Sequence, residues 1–212
     1  MLYIVRHGQS FANIENIWGG NYKLTLDGKK QALSIVDKLP QNPKVIISSP
    51  LIRAYQTARI CYPTQDIEIN NDFSEIYFGF MENEKITNDD FHKCYKYSIS
   101  TLKDFDLCDN VEERARKCIE IIKKYEYENY DTVIFAHHTL MCVILCLYYK
   151  RSINDFYIYK DFMKNCAIMK FDTPDIYINN NLIPVDLLSD NKVVLKETEY
   201  NNIYKNYKKL FN

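Results

Sequence analysis

Three short apolar runs, residues 2–5, 45–47 and 132–136, punctuate a chain whose intervening stretches carry helical periodicity. Each run is continuous rather than alternating and rich in β-branched residues, the pattern of a strand buried on both faces. Such strands need helices over both sides of a sheet, and the intervening segments supply them. Thr25 is placed to cap a helix carrying Ala32, Leu33, Val36 and Leu39 on one face. Ser49-Pro50 reads as a helix start, with Ser49 as N-cap and Pro50 at the first helical position. Asn110 and Glu113 resemble a capping box, followed by Val111, Ala115, Cys118, Ile119 and Ile122 at helical spacing. The expected fold class is α/β: a three-layer α/β/α sandwich with a mostly parallel central sheet.

With 212 residues the chain can bury one sizeable core, and no Gly/Ser linker or repeat divides it. A single domain over residues 1–212 is expected. A net charge of −1 offers no electrostatic reason to bind nucleic acid or an anionic membrane, so any affinity for phosphate must be local. The longest apolar stretch, residues 140–149, is about half of a membrane span and reads as a buried helix. The first strand is expected to begin at Leu2, and no signal peptide is expected before it. Seven cysteines, none in a Cys-x-x-Cys pair, fit reduced core thiols and a cytoplasmic location. Residues 78–110 are polar, aromatic-rich and weakly periodic, as expected of an inserted cover over a site. His92 lies there among Lys85, Lys93, Tyr95 and Lys96, a cluster that reads as a solvated face. The Asn-, Lys- and Tyr-rich tail from Thr173 onward is expected to add an edge strand at residues 192–196 and a last helix.

The chemistry gathers where the strands end. Arg6-His7-Gly8 closes the first run, Arg53 falls in the first turn of the helix after the second, and His137 closes the third. In open α/β sheets ligands bind at the carboxyl ends of strands. The topology therefore brings two arginines and two histidines to one edge. That group makes poor sense as packing and good sense as a cradle for a phosphoryl group, with guanidinium forks matching its oxygens. His7 can serve as nucleophile, Arg6 can hold an oxyanion, and Gly8 lets the backbone turn closely. A zinc site built from His7, His137 and His138 matches no metal-ligand spacing, and the arginines would repel the cation. No metal and no cofactor are expected.

Arg6-His7-Gly8-Gln9-Ser10 with Asn13 beyond, and Leu24-Thr25-x-x-Gly28-x-x-Gln31-Ala32, resemble the signatures of the histidine phosphatase superfamily, in its phosphoglycerate-mutase-like branch. So do Ser48-Ser49-Pro50-Leu51-x-Arg53-Ala54-x-Gln56-Thr57-Ala58, Glu75-Ile76-x-Phe78-Gly79-x-x-Glu82, and Ala136-His137. The five motifs occur in order over about two thirds of the chain. The resemblance implies a two-step phosphoryl transfer: His7 becomes a phosphohistidine, while Arg6, Arg53 and His137 hold the non-bridging oxygens. Glu75 would protonate the leaving alkoxide and then take a proton from the hydrolytic water. It also implies phosphate contacts from Asn13 and from position 138. There this chain departs from the family, carrying His138 where a glycine usually presents its backbone N–H. A mildly acidic rate optimum is expected, because an acid must be protonated to act.

Only 61 residues separate Glu75 from His137, too few for the arginine-rich insertion of the family's mutases, and Arg114 and Arg116 lie on a structural helix. The reaction expected is hydrolysis of a small phosphorylated metabolite. The alternatives are a mutase-type phosphotransferase and a catalytically silent phosphate-binding module. A protein phosphohistidine phosphatase would need an open cleft, which the cover at residues 78–110 argues against.

Overall fold

The computed structural model describes residues 1–78, 82–86, 111–172 and 175–182. The expected cap at Asn110, most of the expected cover and the tail beyond residue 182 lie outside them. The three apolar runs form strands β1 (Leu2–Arg6), β2 (Val45–Ser48) and β4 (Thr132–Ala136), joined by an edge strand β3 (Glu68–Ile69). Three further strands, β5 (Ile168–Asp172), β6 (Asp175–Ile178) and β7 (Asn181–Leu182), complete a seven-stranded sheet of order β3-β2-β4-β1-β5-β6-β7.

β3, β2, β4 and β1 are mutually parallel. β5 runs antiparallel to β1, and β6 antiparallel to β5, so β6 points the same way as β1. The sheet is thus mostly parallel, with an antiparallel meander on one side. That meander had no clear signal, because β5 mixes Lys170 and Asp172 with its apolar residues.

Helices cover both faces. α2 (Leu26–Leu33) and α3 (Ile52–Cys61) pack with Val5, Ile46, Val133 and Phe135. α4 (Val111–Glu128) and α5 (His138–Tyr148) pack with Leu2, Ile4, Ile47 and Ile134 on the other side. Neighbouring residues of one strand thus feed two separate cores, which is why the runs must be apolar at every position. Val111, Ala115, Cys118, Ile119 and Ile122 form the buried stripe of α4 as their spacing requires. A fifth short helix, α1 (Phe11–Glu15), follows β1.

Two local readings need correction. α3 begins at Ile52 with Leu51 as its N-cap, so Ser49 is not the cap; its Oγ instead accepts the Leu51 N–H two residues on. Likewise α2 ends at Leu33, which is 62% exposed. Ser34 donates its hydroxyl proton to the Gln31 carbonyl. A 3-10 turn over Val36–Lys38 then rotates Ile35 and Leu39 into the core in place of Leu33. Among the described residues no helix is long and apolar enough to cross a membrane. The described cysteines, Cys61, Cys118, Cys142, Cys146 and Cys166, are all free and buried.

Candidate active site

The sheet register sets the site. β1 pairs with β4 so that Arg6 stands opposite Ala136, and β2 pairs with β4 so that Ser48 stands opposite Phe135. All three strands therefore end at the same level. The next residues, His7, Ser49 and His137, emerge side by side, with the His7 N–H still bonded to the Ala136 carbonyl and that of Ser49 to Phe135. A cleft of about 260 Å³ opens there, lined among others by Arg6, His7, Asn13, Arg53, Glu75 and His138.

His7 is 3% exposed and its tautomer is determined by its neighbours. Nδ1 lies 2.7 Å from the carbonyl oxygen of Gly8, an atom that can only accept, so Nδ1 carries the proton. Nε2 then presents a lone pair, to which the Arg53 Nε–H donates at 3.1 Å. Burial, Arg53 and Arg6 hold the imidazole well below its ordinary pKa, so the ring stays neutral. Arg53 is itself 4% exposed, and burial brings its guanidinium down to about 10, still charged at neutral pH. Its Nη1 donates to the Gly20 carbonyl at 2.5 Å, and Arg6 Nη1 donates to the Met163 carbonyl at 2.5 Å. Both guanidinium groups are thus aimed before any ligand arrives.

His137 is fully buried, with its ring centroid 5.1 Å from that of His7. Its Nε2 sits 2.7 Å from Ser49 Oγ, and its buried Nδ1 has no partner among the described residues. Ser49 Oγ already accepts from the Leu51 N–H, and its own proton can go to His137 Nε2, which leaves Nδ1–H as a donor. Burial, Arg53, His7 and Arg6 keep this ring neutral as well.

The Glu75 carboxylate accepts N–H bonds from Thr139 and Leu140 at the start of α5, both 3.1 Å, and from Ile76 at 3.0 Å. A helix N-terminus thereby orients it toward the same cleft. Glu82, the other carboxylate of the same motif, accepts from the Gly20 and Phe78 N–H groups and braces the loops of the cleft. Asn13 lies at the exposed mouth. Its Oδ1 takes the Ser10 N–H and hydroxyl and the Asn165 amide, which leaves Nδ2 as its available donor. His138 lines the cleft beside Arg6, with Nε2 2.9 Å from the Lys160 carbonyl.

Several contributors escaped the sequence reading. Ser49 was assigned to a helix cap, although it positions His137. Arg114 donates to the carbonyls of Asp72, Ser74 and Glu75, fastening the segment that bears the carboxylate. Its spacing, three after Val111 and four before Cys118, puts it beside the apolar stripe of α4, and it is 5% exposed. Trp18, which lies in no motif, packs with Phe78, 4.8 Å away between ring centroids, as an apolar wall.

Comparison with known proteins gives this architecture its class. The family model for the histidine phosphatase superfamily (branch 1) matches residues 2–176, and the chain belongs to that family. The fold is also that of several solved structures. A phosphoserine phosphatase mutant from Entamoeba histolytica, in complex with phosphoserine, matches with a TM-score of 0.65 and 20% identity, over 84% of this chain and 93% of that one. A mycobacterial glucosyl-3-phosphoglycerate phosphatase complexed with VO3 gives 0.64 and 17%, over 79% and 90% respectively. The alpha-ribazole phosphatase of Shigella flexneri gives 0.61 and 18%, over 84% and 93%. No curated protein sequence matches the chain.

Proposed function

We propose that this protein is a metal-independent phosphomonoesterase acting on a small phosphorylated metabolite through a phosphohistidine on His7. The observation that carries the reading is the neutral Nε2 lone pair of His7, held by the Gly8 carbonyl on one side and Arg53 on the other. When the phosphate arrives, the Arg53 N–H groups turn from Nε2 to its oxygens, together with Arg6 and the His137 Nδ1–H. Nε2 then forms a bond to phosphorus as the bond from phosphorus to the ester oxygen breaks, and Glu75 gives its proton to that oxygen. In the second step water attacks phosphorus, the Nε2–P bond breaks, and Glu75 receives the water's proton. The positive groups stabilise the charge on the transferring oxygens without a metal. Asn13 Nδ2 and the backbone N–H at His138 complete the phosphate contacts. Family membership, and phosphatase relatives that act on phosphoserine or glucosyl-3-phosphoglycerate, support the reading.

The test is hydrolysis of p-nitrophenyl phosphate between pH 5 and 8 with excess chelator, in wild type and His7→Ala. The expected result is chelator-resistant turnover, fastest on the mildly acidic side and abolished by the substitution. Turnover that persists in His7→Ala would assign another nucleophile. No turnover, with vanadate still raising the melting temperature, would favour a silent phosphate-binding module. Phosphate transfer between phosphoglycerates in place of hydrolysis would favour a mutase.

A further inference from the structure

The cleft that holds Arg6 and Arg53 is also lined by side chains to which the proposed chemistry gives no part. His138 occupies the first position of α5 and lines the cleft. Its Nε2 lies 2.9 Å from the Lys160 carbonyl oxygen, which can only accept, so the ring proton sits on Nε2. Burial and the nearby Arg6 push the ring pKa down to about 3, which keeps it uncharged. Nδ1 therefore carries a lone pair, and it has no hydrogen-bond partner among the described residues. The wall of Trp18, Phe78, Ile17 and Ile86 lines the same cleft. Trp18 is 6% exposed, and its buried indole Nε1–H has no acceptor among the described residues.

Beyond the arginines and the Asn13 amide at its mouth, the cleft thus offers an uncharged acceptor, His138 Nδ1, beside an apolar surface. Arg6 and Arg53 balance the two negative charges of a phosphate monoester and are the only cations among the described lining residues. A carboxylate on the leaving group would set its oxygens against the His138 lone pair and near Glu75. A hydroxyl can donate to Nδ1 and accept from an N–H, and the carbon skeleton that bears it can lie on the Trp18–Phe78 wall.

We propose that His138 is a specificity-determining residue: its Nδ1 accepts a hydrogen bond from a leaving-group hydroxyl and selects phosphate esters of uncharged, hydroxyl-bearing alcohols over carboxylate-bearing ones. This rests on the phosphomonoesterase reading for its substrate, and its test is a binding measurement that needs no turnover.

Three-carbon esters isolate the feature: glycerol 3-phosphate carries hydroxyls, n-propyl phosphate lacks them, and 3-phosphoglycerate adds a carboxylate. Their affinities are measured by calorimetry at pH 7 in the His7→Ala background, which prevents hydrolysis during titration. Glycerol 3-phosphate should bind about tenfold more tightly than either of the others, the worth of one well-made hydrogen bond. Adding His138→Ala should bring the glycerol-to-propyl ratio to about one. His138→Gln should restore the preference, because its amide N–H can reach the Lys160 carbonyl while its oxygen accepts. An unchanged ratio in His138→Ala, tighter binding of 3-phosphoglycerate, or no binding of any ester would overturn the proposal. Turnover of p-nitrophenyl phosphate by wild type is scored separately. Its absence with the binding ratios as expected would remove the hydrolase reading and leave the selectivity intact.

Discussion

At the scale of single residues, the proposed chemistry depends on which nitrogen of each ring carries a proton. The Gly8 carbonyl settles that for His7, and the Lys160 carbonyl settles it for His138. Ser49 is assigned the same task at His137, so losing its hydroxyl should cost rate more than binding. Ser49→Ala is expected to lower kcat about tenfold with little change in KM, and Ser49→Thr, which keeps the hydroxyl, should recover most of it. A residue that mattered only for folding would show no such split and no such rescue. Glu75 is tested through the leaving group. In Glu75→Gln, hydrolysis of an alkyl phosphate should fall about 10² to 10⁴-fold, whereas p-nitrophenyl phosphate should lose much less, since nitrophenolate departs without a proton. Equal losses on both substrates would remove Glu75 from the role of acid.

At the scale of elements, the nucleophile loop is held by contacts between segments rather than within them. Gly8 and Gly28 cross so closely that a Cβ on Gly28 would overlap the Gln9 carbonyl, and one on Gly8 would overlap that of Gly28. Thr25 caps α2 by accepting the Gly28 N–H, and its own N–H reaches the Gln9 carbonyl. The side-chain oxygens of Gln31 and Gln56 accept the N–H groups of Gln9 and Leu24, and Thr57 Oγ1 accepts that of Gly8. The motif glutamines and threonines are therefore buttresses that set the end of β1 against α2 and α3. Gly28→Ala should destabilise the protein by about 2–3 kcal/mol through forced overpacking, measured by urea unfolding. It should also lower activity, because the displaced strand end carries His7. Wild-type stability in that variant would mean the two segments can separate freely.

At the scale of the whole molecule, three buried neutral histidines tie stability to pH. His7, His137 and His138 all have folded pKa values below the ordinary 6.5, so between that value and the folded ones the unfolded chain binds protons that the native state refuses. Their contribution is intact above pH 6.5 and is lost as pH falls. Unfolding free energy should be flat from pH 8 to 7 and then decline toward pH 5, with a slope approaching three protons, each about 1.4 kcal/mol per pH unit. His138→Gln should reduce that slope by one proton. A slope unchanged from wild type would mean that His138 titrates freely in the native state.

The layers and the three central strands were legible because continuous β-branched runs and helical spacing are local signals, and five motifs in order are hard to produce by chance. Much of the site was legible too, since strand ends in a parallel sheet share one edge. Other features were not, because they depend on partners distant in the chain. Leu33 leaves the core where a helix stops one turn early, Ser49 serves a histidine 88 residues away, and Arg114 grips carbonyls about 40 residues before it. The sequence by itself determined the class of fold and the residue types that can hold a phosphoryl group, because periodicity and motif spacing are properties of the chain. Only the tertiary structure decided which ring nitrogens hold protons, which carboxylate lies at the start of α5 and which side chains line the cleft. Hydrogen-bond partners and burial exist only once the segments have met.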